Sequence, residues 1–214
     1  MAVVLFDLDG VLVDSRAPIG ASLNHALVSR GHAPREEAEL HRYIGPPLLG
    51  TFADLTGERP DSAEVAALAA AYRERYAVAS LTETVVVEGI ETVLEELGRS
   101  HRLAVATSKP RPFAVPLLDA VGLSAHFEWI AAPELDAYME PKAQTVRAAL
   151  EWVGGPPAVM VGDRSHDVEG ARANGIPVVG VGWGIGDADE LGGADALVGS
   201  PDELPAVVER LLAR

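Results

Sequence analysis

The sequence predicts an α/β protein: a doubly wound parallel sheet with a small helical domain inserted after its first strand. Three observations carry that expectation. Short apolar runs, among them Val3–Phe6, Leu103–Ala106 and Ala158–Val161, have the composition of strands buried on both faces. From Gly89 onward such runs alternate with segments of helical period, the pattern of parallel strands joined by crossover helices. Residues 16 to about 80, by contrast, hold helical patterns and no convincing strand. The expected division assigns residues 1–14 and 84–214 to the α/β core and 15–83 to the helical insertion.

The elements follow in order. Val3–Phe6 is the first strand, and it delivers Asp7 and Asp9 with Gly10 directly after them. In the insertion, Leu23, Ala26, Leu27 and Arg30 keep helical spacing, and Gly31 fits as a C-terminal stop. The prolines of Ile44-Gly45-Pro46-Pro47-Leu48 cannot continue a helix, so this run is a turn between two helices. Asp61 is expected to cap the next helix, where Val65, Leu68, Ala69, Tyr72 and Tyr76 share one apolar face. Arg73, Glu74 and Arg75 lie mostly off that face and read as a solvated surface with local ion pairs.

In the core, Ile90, Val93, Leu94 and Leu97 make a helical stripe closed by Gly98. The strand Leu103–Ala106 precedes a helix from about Pro112 to Val121, with Pro112 and Pro116 expected in or near its first turn. A weaker strand, Trp129–Ala131, leads to a helix carrying Val146, Ala149, Leu150 and Val153. After the strand Ala158–Val161, a helix over Val168–Ala173 stops at Asn174-Gly175, and Val178-Val179 forms another strand. Ala196–Val198 and a helix with Leu204, Val207, Val208 and Leu211 complete the chain.

Composition removes several function classes. A net charge of −15 over 214 residues argues against sequence-independent nucleic-acid binding and against an anionic membrane surface. The absence of cysteine excludes disulfides and thiolate metal sites. No apolar run approaches the roughly 20 residues of a membrane span, and Asp7 interrupts too early for a secretion signal. A cytoplasmic protein is the expectation, with 48% hydrophobic and 23% charged residues suiting a globular fold.

The chemistry-bearing residues stand at strand ends, where open parallel sheets bind their ligands. Asp7 and Asp9 are costly there unless a cation or a reaction uses them. Thr107-Ser108-Lys109 offers hydroxyls and backbone N–H groups suited to a phosphate; a helix-cap or turn pair is the competing reading. Lys142 stands at a helix start, where the dipole disfavours a cation, although a lone lysine otherwise reads as a solvent-facing charge. Asp163 and Asp167 form a second acidic cluster, and carboxylates from two adjacent strand ends are what a hard ion such as Mg²⁺ selects. Read alone, they are a loop residue and a helix N-terminal charge. Ser165-His166-Asp167 holds triad residue types, but sequence neighbours cannot adopt the relay geometry. Glycines 180, 182, 184 and 186 do not match the dinucleotide fingerprint and read as a close-packed loop bordering the site.

Together these segments resemble the haloacid dehalogenase superfamily of aspartyl-nucleophile hydrolases. The motifs are Asp7-Leu8-Asp9-Gly10-Val11-Leu12-Val13-Asp14-Ser15, Ala106-Thr107-Ser108-Lys109, Lys142, and Gly162-Asp163 through Asp167, in the family's order. The insertion is similar to the family's helical cap in phosphoglycolate phosphatase-like members, supported by Gly45-Pro46-Pro47-Leu48, Tyr72-Arg73-Glu74-Arg75-Tyr76 and Gly170-Ala171-Arg172. Glu88 departs from the proline common in relatives, a change that bears on the hinge.

The resemblance implies a Rossmann-like core and a set of roles. Asp7 would be nucleophile and Asp9 the general acid and base. Mg²⁺ would bind the Asp7 carboxylate, the Asp9 carbonyl and Asp163, supported by Asp167. Gly10, Thr107, Ser108 and Lys142 would hold the phosphoryl oxygens of a small phosphorylated metabolite. Arg16, Ile44, Gly45, Pro46 and Arg73 are the cap candidates for substrate contact, with His41 and Arg42 further cations. Asp9 distinguishes the chain from dehalogenases, which lack the second aspartate, and from phosphonatases, which put a small residue there. A sugar-phosphate mutase shares both aspartates, but relatives of that kind carry a cap histidine where this chain has Ile19. A 5'-nucleotidase of the same superfamily and a catalytically silent regulatory or binding protein are also compatible with these motifs. A monomer or weak homodimer is expected.

Overall fold

The computed structural model describes residues 1–135, 141–155 and 157–213. In chain order, β1 (Val3–Phe6) and β2 (Val13–Asp14) are followed by α1 (Arg16–Ser29), α2 (Glu37–Leu40), α3 (Leu48–Thr56) and α4 (Ala63–Thr82). Next come β3 (Val85–Val86), α5 (Ile90–Gly98), β4 (Arg102–Ala106), α6 (Arg111–Ala120) and β5 (Trp129–Ala131). The last elements are α7 (Lys142–Val153), β6 (Ala158–Gly162), α8 (Ser165–Ala173), β7 (Val178–Val181), β8 (Ala196–Val198) and α9 (Leu204–Leu212). The chain divides into two compact units, one of Met1–Asp14 with Val85–Arg214 and one of Ser15–Thr84.

The first unit is built on a parallel sheet of strand order β5-β4-β1-β6-β7-β8. Both faces of β1 are buried, and its alternate residues feed two cores. Val4 and Phe6 pack with Ile90 and Leu94 of α5, Leu117 of α6 and Val208 of α9. Val3 and Leu5 join Val146 and Ala149 of α7 and Ala171 of α8. Helices on both faces make the sheet doubly wound, as expected from the strand–helix alternation. Two short strands, β2 and β3, pair antiparallel in a separate ribbon with Asp14 opposite Val85. At two residues each, they are too short to show a strand period in sequence.

The second unit is helical, and Val65, Leu68, Ala69, Tyr72 and Tyr76 form the buried stripe of α4. Two local expectations are corrected. Ser62, not Asp61, caps α4: its hydroxyl accepts the Val65 N–H at 3.1 Å, while the Asp61 carboxylate pairs with Arg59. Pro116 lies in the second turn of α6, inside the helix, where the missing N–H leaves the Pro112 carbonyl without its i+4 donor. Gly98 keeps a right-handed backbone as the last residue of α5, and Arg99 provides the cap.

Candidate active site

The parallel register brings the motif residues together. Phe6 lies opposite Val105 on β4 and Val161 on β6, so Asp7 emerges level with the ends of both neighbours. Its backbone N–H donates to the Val161 carbonyl at 2.9 Å, which continues the ladder and fixes the main chain below the carboxylate. Beyond it, Leu8–Val13 closes a tight loop through Leu12 N–H and Val13 N–H donating to the Leu8 carbonyl. Gly10 adopts φ +87°, and a Cβ there would fall 2.1 Å from Asp163 Oδ2, so only glycine fits.

Asp7, Asp163 and Asp167 form one buried cluster, each offering a carboxylate oxygen within 4.8 Å of the others. Lys142, the first residue of α7, reaches into it. Its Nζ lies 2.5 Å from Asp7 Oδ1 and 2.7 Å from Asp167 Oδ1, with the lysine side chain only 4% exposed. Gly170 on α8 makes room for that side chain, since a Cβ there would sit 3.0 Å from Lys142 Cγ. The unfavourable helix-dipole position of Lys142 is thus outweighed by two carboxylates.

Each acid is held differently. Asp167 Oδ2 accepts the N–H groups of Asp163 (3.0 Å) and Arg164 (3.1 Å) at the start of α8, leaving Oδ1 for Lys142. Asp163 Oδ2 accepts the Ile185 N–H at 2.6 Å and the Gly186 N–H at 3.4 Å. Its Oδ1 is buried with no hydrogen-bond partner among the described residues. Asp9 is set apart, its Oδ2 paired at 2.9 Å with the ammonium of Lys109.

Burial and like charge raise two of these acids. Burial lifts the Asp7 carboxyl to about 6, partly offset by Lys142 and augmented by Asp167. Burial lifts Asp163 to about 8, with Asp167 and Asp7 adding to the effect and the Ile185 and Gly186 amides opposing it. Burial alone would lower the Lys142 ammonium, but Asp167 and Asp7 overcome it and hold the group charged. An all-oxygen donor set, two acids that resist ionisation without a further cation, and an orphaned buried oxygen on Asp163 fit a hard divalent ion.

The remaining expected residues fall in two places. Thr107 follows β4 and is buried; its N–H donates to the Ala131 carbonyl, and its hydroxyl accepts the Lys109 N–H at 3.1 Å. The hydroxyl therefore makes a local turn, and it does not cap α6, which begins beyond Pro110. Ser108 is exposed. Arg16, at the start of α1, and Arg73, on α4, are half-buried in the helical unit, as is Pro46. In the same unit Ile44 is buried, while Gly45 is exposed at φ +101°.

Two contributors have weaker sequence signals. The pairing of Lys109 with Asp9 has no local spacing to reveal it. The loop holding Asp163 announces itself only through its alternating glycines. A Cβ on Gly184 would fall 2.3 Å from Asp163 Cβ, and one on Gly186 would fall 2.0 Å from its carbonyl oxygen.

Comparison with known proteins places this geometry. Residues 4–181 match the family model described as haloacid dehalogenase-like hydrolase. The chain belongs to that family. This haloacid dehalogenase-like hydrolase is 41% identical over 191 residues to a 5'-nucleotidase of Pseudomonas aeruginosa, covering 88% of this chain and 86% of that one. It is 36% identical over 216 residues to a plasmid phosphoglycolate phosphatase of Cupriavidus necator, covering 96% and 92%. Among solved structures, protein tyrosine kinase A of Mycobacterium tuberculosis superposes with a TM-score of 0.82 at 36% identity, covering 97% of each chain. The parallel-sheet fold and the family expected from the four motifs are those found.

Proposed function

We propose that this hydrolase is a Mg²⁺-dependent phosphatase that cleaves a small phosphate monoester through an aspartyl-phosphate on Asp7. The observation that carries the reading is the separation of the two motif carboxylates. Asp7 belongs to the buried cluster with Lys142, Asp163 and Asp167, while Asp9 lies outside that cluster and pairs with Lys109. Two acids in different surroundings suit two different roles.

Asp7 attacks phosphorus, and Asp9 protonates the departing oxygen. Asp9 then takes a proton from the water that releases phosphate. Lys142, Thr107 and the N–H group of Ser108 hold the phosphoryl oxygens; the Gly10 N–H, expected to join them, already donates to the Val13 carbonyl at 2.8 Å. Mg²⁺ would be held by the Asp7 carboxylate, the Asp9 carbonyl and Asp163, supported by Asp167, and would supply the charge that offsets repulsion between carboxylate and phosphate in the transition state. Residues Ser15–Thr84 serve as the cap that selects the substrate, with Arg16, Ile44, Gly45, Pro46 and Arg73 its candidate contacts.

The names of the relatives support two substrate classes, phosphoglycolate and nucleoside 5'-monophosphates, both small phosphate monoesters. Phosphate release is measured across both with Mg²⁺ and with chelator, in the absence of any bisphosphate activator. Activator-free release favours a hydrolase over a mutase. Transfer to a peptide tyrosine in place of water would instead favour the chemistry named for the mycobacterial protein. Asp7→Asn is expected to abolish turnover, and wild-type-like activity in that variant would sink the mechanism.

A further inference from the structure

We propose that Lys109 is a positioning residue for Asp9, holding the proton-transfer carboxylate as Lys142 holds the cluster around Asp7. The inference rests on the role assigned to Asp9 above. Lys109 lies in the turn after β4, where its N–H donates to the Thr107 hydroxyl at 3.1 Å, and its side chain is 4% exposed. The Pro110 that caps α6 follows it directly. A long cationic side chain held inside the protein loses its hydration, so it is retained where a specific anion compensates it. Here Nζ stands 2.9 Å from Asp9 Oδ2.

The two buried lysines therefore divide the two motif acids between them. Lys142 touches Asp7 and Asp167; Lys109 touches Asp9. Asp9 is itself 16% exposed, so its carboxylate has a wet side, and without an anchor it could sample several rotamers. The ammonium on Oδ2 selects one of them. In the first step an Asp7 oxygen bonds phosphorus, the ester P–O bond breaks, and the Asp9 proton passes to the departing oxygen. In the second, a water oxygen bonds phosphorus, its proton passes to Asp9, and the bond from Asp7 to phosphorus breaks. Both proton transfers need the same carboxylate in the same place. A misplaced acid sacrifices part of the roughly 10²–10⁴-fold that positioned proton transfer contributes.

The test separates proton transfer from phosphate binding. Lys109→Met removes the charge and keeps the length. It is compared with Asp9→Asn, the double variant and Lys109→Arg, on an alkyl phosphate and on p-nitrophenyl phosphate. The expected result is a kcat loss of about 30-fold on the alkyl phosphate, with KM within about 3-fold. The first-turnover burst of nitrophenolate should stay within about 3-fold, because that leaving group departs without a proton. Its steady-state turnover should slow, since the second step still needs the base. The double variant should be no worse than Asp9→Asn, and Lys109→Arg should recover part of the loss. A KM increase shared by both substrates with kcat kept would make Lys109 a substrate-binding residue and overturn the proposal. So would losses that multiply in the double variant. If Lys109→Met does not fold, the arginine variant and the cycle on a Lys109→Gln background give the same contrast. Full alkyl phosphate turnover by Asp9→Asn would instead bring down the role of Asp9 itself.

Discussion

Replacing Lys142 with methionine tests the electrostatic construction of the site. The substitution keeps side-chain length but removes the ammonium that lies 2.5 Å from Asp7 and 2.7 Å from Asp167. Breaking a buried ion pair by removing one partner costs about 3–5 kcal/mol, because the stranded carboxylates stay buried. For a chain of this length each kcal/mol moves the melting temperature by about 2–4 °C, so a fall of roughly 6–20 °C is expected near pH 8.5 without added metal. The sign with pH follows from the shifts. Lys142 is raised above its ordinary 10.5, so its stabilising contribution is fully present throughout the assay range. Asp7 and Asp163 are raised from 3.8 to about 6 and about 8, so the metal-free protein loses stability as pH rises through those values. In Lys142→Met the Asp7 carboxyl loses its cation and holds its proton to still higher pH. The deficit should therefore shrink near pH 5.5, where protonation relieves the cluster. Tryptophan fluorescence reads the core directly, because Trp129, Trp152 and Trp183 all lie in the unit built on the parallel sheet. A fall below about 2 °C near pH 8.5, or one as large near pH 5.5, would refute the reasoning.

Mg²⁺ affinity, measured calorimetrically, should weaken as pH is lowered from about 8.5 to about 6, with proton release on binding, because Asp163 and Asp7 must ionise first. A pH-independent affinity would contradict the assigned ligands. Gly184→Ala and Gly186→Ala should each lower that affinity about 10- to 100-fold by displacing Asp163, the loss typical of a disturbed supporting shell. Gly182→Ala, whose Cβ would meet the Val198 carbonyl at 3.3 Å and not Asp163, should leave metal affinity near the parent value. In the helical unit, Ser62→Ala should cost about 1 kcal/mol, and Asp61→Ala within about 0.5 kcal/mol, as read by thermal melts. The reverse order would show that Asp61 caps α4.

What the sequence makes legible is what local pattern encodes. The apolar runs of β1, β4 and β6 show because strands buried on both faces tolerate almost nothing polar. Asp7 and Asp163 show because each stands directly after such a strand. Ser62 and Asp61 are both good caps by type, and only the backbone direction entering α4 chooses between them. The ion pair of Lys109 with Asp9 joins residues 100 positions apart, 109 − 9, and no periodicity signals it. The amide of Ile185 reaches Asp163 from a backbone atom, a contact that residue type cannot encode. Pro116 misleads because proline preference for first turns is statistical, whereas the interior of α6 accepts it at the expense of one hydrogen bond.

The ribbon of β2 and β3 gives the core a seam. Cα partners in such a pair lie about 4.5–5.5 Å apart, so Asp14 and Val85 are close enough for a two-residue hairpin turn to join them. Excising Ser15–Thr84 and bridging the ends with Asn-Gly therefore asks the sheet for no new geometry. Segments of other lengths can be spliced into the same seam at a loop-closure cost that rises only logarithmically with length. The register of Val3–Phe6, and with it the position of Asp7, is set on the far side of that seam by β4 and β6. The scaffold that aims the nucleophile is thus free to exchange its insertion without being rebuilt.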